Sequence, residues 1–131
     1  TLESLSYKYS GLELLLFSDQ VLMEKCKEAD IIICATHSVG KETDKLINDD
    51  HFDLMKENSI LIDISIDQGG CSTASKPTTH ENPTFKYKNT IMYCVANMPG
   101  LTNITSTEAL CNVSFPILLD ILQDSKYQPT Y

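Results

Sequence analysis

Three short apolar runs along the chain predict buried β-strands. They cover residues 30–36, 59–66 and 90–97, and each is rich in β-branched residues. Almost continuous apolar runs of this length are typical of parallel strands that are covered on both faces. The pattern therefore predicts three strands of one open parallel sheet.

Helical patterns lie before, between and after these strands. Ser18 is suited to cap a helix over 19–28, and Asn48 is suited to cap a shorter one over 49–57. Residues 105–108 (Thr-Ser-Thr-Glu) have the spacing of a capping box, which predicts the start of a last helix. Strands that alternate with helices favour right-handed βαβ units, so the predicted fold class is α/β, a parallel sheet with flanking helices.

Ligands of such sheets bind outside the carboxyl ends of the strands, which directs attention to residues 36–40, 67–71 and 97–100. Asp67 follows the second strand, where a carboxylate can act as an acid or base or hold a polar substrate group, or simply precede a glycine turn. Asn97 offers a donor and an acceptor, or belongs to an ordinary Pro-Gly turn. His37, like His51 and His80, is expected to be a solvated loop residue.

The charge and the hydropathy of the chain indicate which partners it is not expected to bind. The 131 residues carry 10 basic and 18 acidic side chains, a formal net charge of -8. An acidic domain repels phosphate backbones and anionic membrane surfaces, so nucleic acid is not expected as a partner. No run approaches the ~20 apolar residues of a membrane span, and the start of the chain lacks a signal-peptide pattern. Membrane insertion is therefore not predicted.

The number and spacing of the cysteines indicate the type of cellular compartment. There are five of them, and none forms a CxxC pair, which argues against a disulfide framework and against a zinc site. Cys34 and Cys94 lie in apolar runs and are expected in the core, whereas Cys71 follows two glycines and is expected to be exposed. Free cysteines fit a reducing compartment, so we predict a cytoplasmic protein without a metal site.

Four longer stretches resemble a known family. They occur in the family's order and approximate spacing, and with the strand at 30–36 they cover nearly the whole chain; they are ISIDQGGC (64–71), KPTTHENPTF (76–85), YCVANMPG (93–100) and TSTEAL (105–110). Together these stretches resemble NAD-dependent alanine dehydrogenases. The resemblance implies reversible oxidation of L-alanine to pyruvate and ammonia with transfer of hydride to NAD, in a homo-hexamer.

The resemblance also implies a domain organisation and site residues. Residues 1–104 would be the C-terminal half of an NAD(H)-binding Rossmann domain, a partial Rossmann-like parallel sheet, and residues 105–131 would begin the helix that returns to the substrate domain. Asp67 matches the family's catalytic aspartate, and Asn97 matches a residue that faces the substrate. The cofactor-binding positions implied in the same way are Ile64, Asp67, Val95, Met98, Thr36, His37, Leu46 and Ser10.

The chain departs from the family pattern at 36–41 (THSVGK), which replaces an apolar, Pro-containing stretch, and at 101–104 (LTNI), which replaces a Pro and a basic residue. In the family, the Gly-rich pyrophosphate loop, the acidic ribose-binding residue and the Arg, Lys and His that bind substrate lie upstream of the position of Thr1. We therefore expect an incomplete N-terminus and an isolated chain without activity, and the sequence does not choose between NAD and NADP.

Two other functions stay open. The chain can be a non-catalytic remnant that binds nucleotide weakly or only associates with other subunits. It can also be a related NAD-binding module of the transhydrogenase or saccharopine dehydrogenase type, which the stretches at 67–70 and 95–99 fit less well.

Overall fold

The computed structural model describes residues 9–123. These residues form two compact units that divide between Ala96 and Asn97. In chain order the helices and strands are α1 (Asp19–Glu28), β1 (Ile31–Cys34), α2 (Asp49–Leu54), β2 (Ile60–Asp63), β3 (Thr84–Tyr87), β4 (Thr90–Tyr93) and α3 (Asn103–Gln123). Two 3-10 helices, Ile64–Gln68 and Met98–Thr102, follow β2 and β4. The predicted domain boundary after residue 104 stays a prediction.

A four-stranded sheet in the order β1-β2-β4-β3 runs through the first unit. Strands β1 and β4 pair in parallel with β2, which confirms the three predicted strands. The expectation of a wholly parallel sheet is wrong at one edge, because β3 pairs antiparallel with β4. Residues 84–87 alternate between exposed and half-buried side chains, as an edge strand with one covered face does. We expected a loop there, since four residues give too short a pattern to stand out.

Strand β2 ends earlier than its apolar run predicts. The carboxylate of Asp63 accepts a hydrogen bond from the backbone N–H of Ser65 at 3.0 Å and caps a 3-10 helix. A side chain that satisfies a backbone donor in this way offers the chain an alternative to the sheet ladder. Ser65 and Ile66, which the sequence pattern places in the strand, therefore lie in the turn that follows it.

The helices of the first unit begin at the predicted residues. Helix α1 has the predicted bounds, and the Ser18 hydroxyl accepts from the N–H of Val21 at 3.2 Å. Asn48 caps α2 by accepting from the N–H groups of Asp50 and His51. The imidazole of His51 completes the reciprocal box and is buried, so the expectation of a solvated histidine is wrong there.

The core of the first unit joins both helices to the sheet. It includes Cys26 from α1, Phe52 from α2, Leu61 from β2 and Met92 from β4. Cys34 and Cys94 are buried as predicted, and Cys71 is buried as well, against the prediction that it is exposed. The reason is that the Cys71 N–H donates to the buried carboxylate of Asp63 at 2.9 Å, which draws this residue inward.

The second unit contains the 3-10 helix Met98–Thr102 and the 21-residue helix α3. Helix α3 begins two residues before the predicted start at 105. Its apolar side chains, such as Leu110, Val113 and Leu122, are exposed. None of the helices in the described part of the chain is long and apolar enough to cross a membrane.

Candidate functional site

A cleft of about 250 Å³ opens where β1 and β2 end. The carboxyl ends of neighbouring parallel strands lie at one edge of a sheet, and ligands of open α/β sheets bind there. The residues that line the cleft are Ala35, Thr36, His37, Ile64, Ser65, Asp67 and Gln68. Four of them, Thr36, His37, Ile64 and Asp67, are residues that the family resemblance singles out.

Ser65 ties the exits of the two strands together. Its hydroxyl accepts from the N–H of Thr36 at 2.9 Å and donates to the carbonyl of the same residue at 2.8 Å. Residues 36 and 65 belong to the segments that follow β1 and β2, so this pair of bonds fixes the width of the cleft at its base. A serine hydroxyl can make both bonds because it is a donor and an acceptor.

Gln68 holds the loop after β1 against the turn after β2. Its Oε1 atom accepts from the N–H of Ser38 at 3.2 Å, and its backbone carbonyl accepts from the N–H of Thr43 at 2.9 Å. The Gln68 side chain is therefore engaged in binding the loop. Of the two neighbours Asp67 and Gln68, Asp67 is the one whose side chain is exposed.

Asp67 is the acidic side chain that lines the cleft, and apolar surface lies beside it. Ile64 is 51% exposed, a large fraction for an isoleucine, and Ala35 is exposed too. A carboxylate next to a small apolar surface can accept a hydrogen bond or a proton while the apolar surface packs against a flat ring. The cleft thus suits a ligand with an apolar face and a polar edge.

The turn that carries Asp67 rests on a buried acid, Asp63. One carboxylate oxygen accepts from Ser65 N–H, and the other accepts from Cys71 N–H and from the Ser75 hydroxyl. A buried carboxylate is tolerated when its oxygens are hydrogen-bonded, and here the donors come from both ends of the turn. The sequence analysis missed this role of Asp63. Its position as an acidic residue inside an apolar run could have indicated a buried, hydrogen-bonded carboxylate.

The other predicted residues of the first unit lie elsewhere. Leu46 lines a separate, mostly apolar cavity of about 370 Å³, which Thr36 also borders. Val95 is fully buried next to β4. Ser10 is exposed in a turn before Gly11. The structure therefore brings four predicted residues into the cleft and leaves these three outside its lining.

Asn97 and Met98 open the second unit. Asn97 has a left-handed backbone with φ +56°, a conformation for which asparagine is favoured among the residues with a Cβ atom. Its carbonyl accepts from the N–H of Gly100 at 2.9 Å. The residues around it that form a cavity of about 440 Å³ are Pro99, Gly100, Asn103, Ser106, Thr107 and Leu110. The left-handed backbone by itself favours an asparagine at position 97, whether or not the side chain contacts a ligand.

Two thiols of the first unit, those of Cys71 and Cys94, are poor nucleophiles. Burial raises the pKa of Cys94 to about 11, and a hydrogen bond with Cys34, together with burial, raises the pKa of Cys71. Because the thiolate is the reactive form, neither residue is activated near neutral pH. Across residues 9–123, no group of three or more His, Cys, Asp or Glu side chains is arranged to hold a metal ion. The cleft itself offers the Asp67 carboxylate and the His37 imidazole beside an apolar surface.

Comparison with known sequences points to one family. The family model described as "Alanine dehydrogenase/PNT, C-terminal domain" matches residues 2–130. An alanine dehydrogenase of Halomonas elongata is 44% identical over 128 residues, which is 97% of this chain and 34% of that protein. An alanine dehydrogenase of Mycolicibacterium smegmatis is 48% identical over 100 residues, 76% of this chain and 27% of that protein.

Comparison with solved structures agrees. An L-alanine dehydrogenase superposes with a TM-score of 0.80 at 30% identity and covers 94% of this chain and 34% of its own. A transhydrogenase from Sinorhizobium meliloti superposes with a TM-score of 0.60 at 17% identity over 67% of this chain and 24% of its own, a likeness of fold alone. The chain spans about a quarter to a third of the length of the curated relatives that it matches.

Proposed function

Because this chain belongs to the alanine dehydrogenase/PNT C-terminal domain family, we propose that it supplies part of the active site of an NAD-dependent alanine dehydrogenase. Such an enzyme converts L-alanine to pyruvate and ammonia. The single observation that carries the proposal is the cleft at the ends of β1 and β2, where Thr36, His37, Ile64 and Asp67 line one space. The family and the α/β fold class predicted from the sequence are confirmed.

We propose that the cleft holds the nicotinamide end of a dinucleotide. Ala35 and Ile64 offer an apolar surface for a flat ring, and the Asp67 carboxylate faces the same space from the polar side. A bound nicotinamide supplies the acceptor for the hydride that leaves the amino acid. Thr36 and His37 would lie beside the ring. By the family resemblance we also propose four further cofactor-binding positions: Leu46, Val95, Met98 and Ser10.

The carboxylate of Asp67 would act at the reacting end of the ligand. Its oxygens accept hydrogen bonds, and Ser65, Gln68 and Asp63 hold the turn that presents it. A rigid turn keeps the carboxylate in one place, which favours the near-attack geometry that hydride transfer needs. Asn97, in the second unit, would offer its amide to the substrate as donor and acceptor.

The cellular location and the oligomeric state of the protein are also proposals. We propose that the protein is cytoplasmic and forms a homo-oligomer, which the family resemblance implies is a hexamer. The exposed apolar side chains of α3 support a covering partner, since helices that are apolar around most of their circumference are buried in complete proteins. We also propose that the 131-residue chain by itself is inactive, because it spans only about a quarter to a third of the length of the relatives that it matches.

The isolated chain should bind NADH with a dissociation constant of about 1 mM or weaker, roughly 4 kcal/mol of binding free energy. The family's pyrophosphate loop is not among these residues, and both helices of the first unit begin with acidic side chains, Asp19 in α1 and Asp49 with Asp50 in α2. Acidic first turns compete with phosphate for the positive end of a helix. Calorimetric titration measures the constant, and micromolar affinity would contradict this expectation.

A chimera tests the proposed function directly. Residues 2–130 replace the matching third of the Halomonas elongata alanine dehydrogenase, and alanine-dependent formation of NADH is followed by absorbance. We expect the chimera to be active, because the two sequences are 44% identical over 97% of this chain. The unaltered enzyme and the chimera without alanine are the controls. A chimera that folds, assembles and binds NADH but oxidises no alanine would favour the non-catalytic alternative.

A further inference from the structure

Lys45 forms a charged link between the loop after β1 and the turn after β2. Its ammonium group donates to the backbone carbonyls of Gly69 and Gly70, the latter at 2.7 Å. Hydrogen bonds from a charged donor are stronger than those between neutral groups. The other bonds between the two segments join neutral groups: they include side-chain bonds of Ser65 and Gln68. Backbone bonds also pair Thr43 with Gln68 and Ile47 with Cys71.

The two glycine carbonyls belong to a turn whose backbone has positive φ angles and whose N–H groups are hydrogen-bonded. Gly69 and Gly70 have φ of +90° and +78°. Their N–H groups donate back into the turn, from Gly69 to the carbonyl of Ile66 and from Gly70 to that of Ser65, each at 3.0 Å. The N–H groups therefore close the turn, and Lys45 holds the carbonyls of the same two peptides from outside. Both sides of the Gly-Gly segment are fixed.

The position of Asp67 depends on this segment. Asp67 is exposed and lies two residues before Gly69, inside the turn that the Gly69 and Gly70 amides close. A shift of the Gly-Gly peptides would therefore move the carboxylate relative to Thr36 and His37 across the cleft. A displacement of about 1 Å at a reacting group can lower a rate about 100-fold.

We propose that Lys45 is a positioning residue for Asp67: it clamps the Gly69 and Gly70 carbonyls and so holds the turn that presents the carboxylate. The catalytic part of this inference rests on the proposed function. Lys45 acts through the backbone, and it is not among the residues that line the cleft. Its loss should therefore affect kcat more than the KM for alanine.

Hydrogen exchange on the 131-residue chain tests the clamp without reference to catalysis. In Lys45→Met, the Gly69 and Gly70 amides should exchange about tenfold faster, because local opening of the turn becomes easier. Lys45→Arg should restore protection to within about threefold, since a guanidinium has several N–H donors for two carbonyls. Lys56→Met, which removes an equal charge that pairs with Asp30 at 2.7 Å, is the matched control and should leave both amides unchanged.

Kinetics of the chimera test the positioning role. Lys45→Met should lower kcat about 10- to 100-fold with a change of less than about threefold in KM, and Lys45→Arg should recover most of the loss. Unchanged exchange in Lys45→Met would overturn the clamp. Faster exchange with unchanged kcat would overturn the positioning role. If the unsubstituted chimera makes no NADH, the proposed function fails and the positioning role falls with it, whereas the exchange result alone decides whether the clamp exists.

Discussion

Replacing Asp67 by asparagine in the chimera should lower the turnover of alanine about 100- to 10,000-fold, the usual contribution of a positioned acid or base. Asparagine keeps the shape of the side chain but carries no negative charge and does not take up a proton near neutral pH. NADH affinity should change little, because we propose that the carboxylate acts at the reacting end of the ligand. Steady-state kinetics give kcat and KM, and fluorescence titration gives the affinity for NADH.

Stability and a second acid serve as controls for this result. Asp67 is exposed, so Asp67→Asn should change the free energy of unfolding by no more than about 0.5 kcal/mol. Asp30→Asn removes an equal charge from an exposed aspartate that precedes β1, at the opposite end of the strand from the cleft, and should leave kcat unchanged. Unchanged turnover in Asp67→Asn would remove this residue from the catalytic set.

Gly70→Ala should lower the free energy of unfolding of the chain by about 3 kcal/mol. A residue with a Cβ atom is strained at φ +78°, and the added carbon would lie 2.5 Å from the Ser75 Cβ and 2.7 Å from the Asp63 Oδ2. Neither neighbour can move freely, because the Asp63 carboxylate is buried and accepts from Ser65, Cys71 and Ser75. Urea unfolding followed by circular dichroism measures the loss.

Gly40→Ala separates the two causes of this loss. Gly40 has φ +71°, but a carbon added there would meet no atom within 4 Å. Its substitution should cost about 1 kcal/mol, the backbone strain alone. The difference of about 2 kcal/mol between the variants is then the steric cost at Gly70. Equal losses in the two variants would show that the close packing around Gly70 does not contribute.

Local interactions explain why the helix starts were predictable. Ser18 and Asn48 cap α1 and α2 through bonds to amides two or three residues further along the chain. Such bonds depend on the nearby sequence alone, so the pattern of residues is sufficient to place them. The predicted end of α2 was less accurate: we expected the helix to reach residue 57, but it ends at Leu54, because Met55 takes an extended backbone.

Specific hydrogen bonds of buried groups explain two errors of the sequence analysis. Cys71 was expected to be exposed beside the cleft, but the Asp63 carboxylate holds its N–H in the core. His51 was expected to be solvated, but it is buried behind the cap of α2. The neighbouring glycines suggested exposure for Cys71, and polarity suggested it for His51, whereas hydrogen bonds allow both residues to be buried.

The sequence by itself determined the family, the fold class, the three parallel strands and the helix starts of the first unit, because motifs, apolar runs and caps are local features of the chain. Only the tertiary structure decided the antiparallel edge strand β3, the burial of Cys71, and which residues share the cleft. It also decided that Lys45 reaches a glycine carbonyl 25 residues away. Contacts between residues so far apart leave no periodic pattern in the sequence, since they form only when the exits of β1 and β2 are brought side by side.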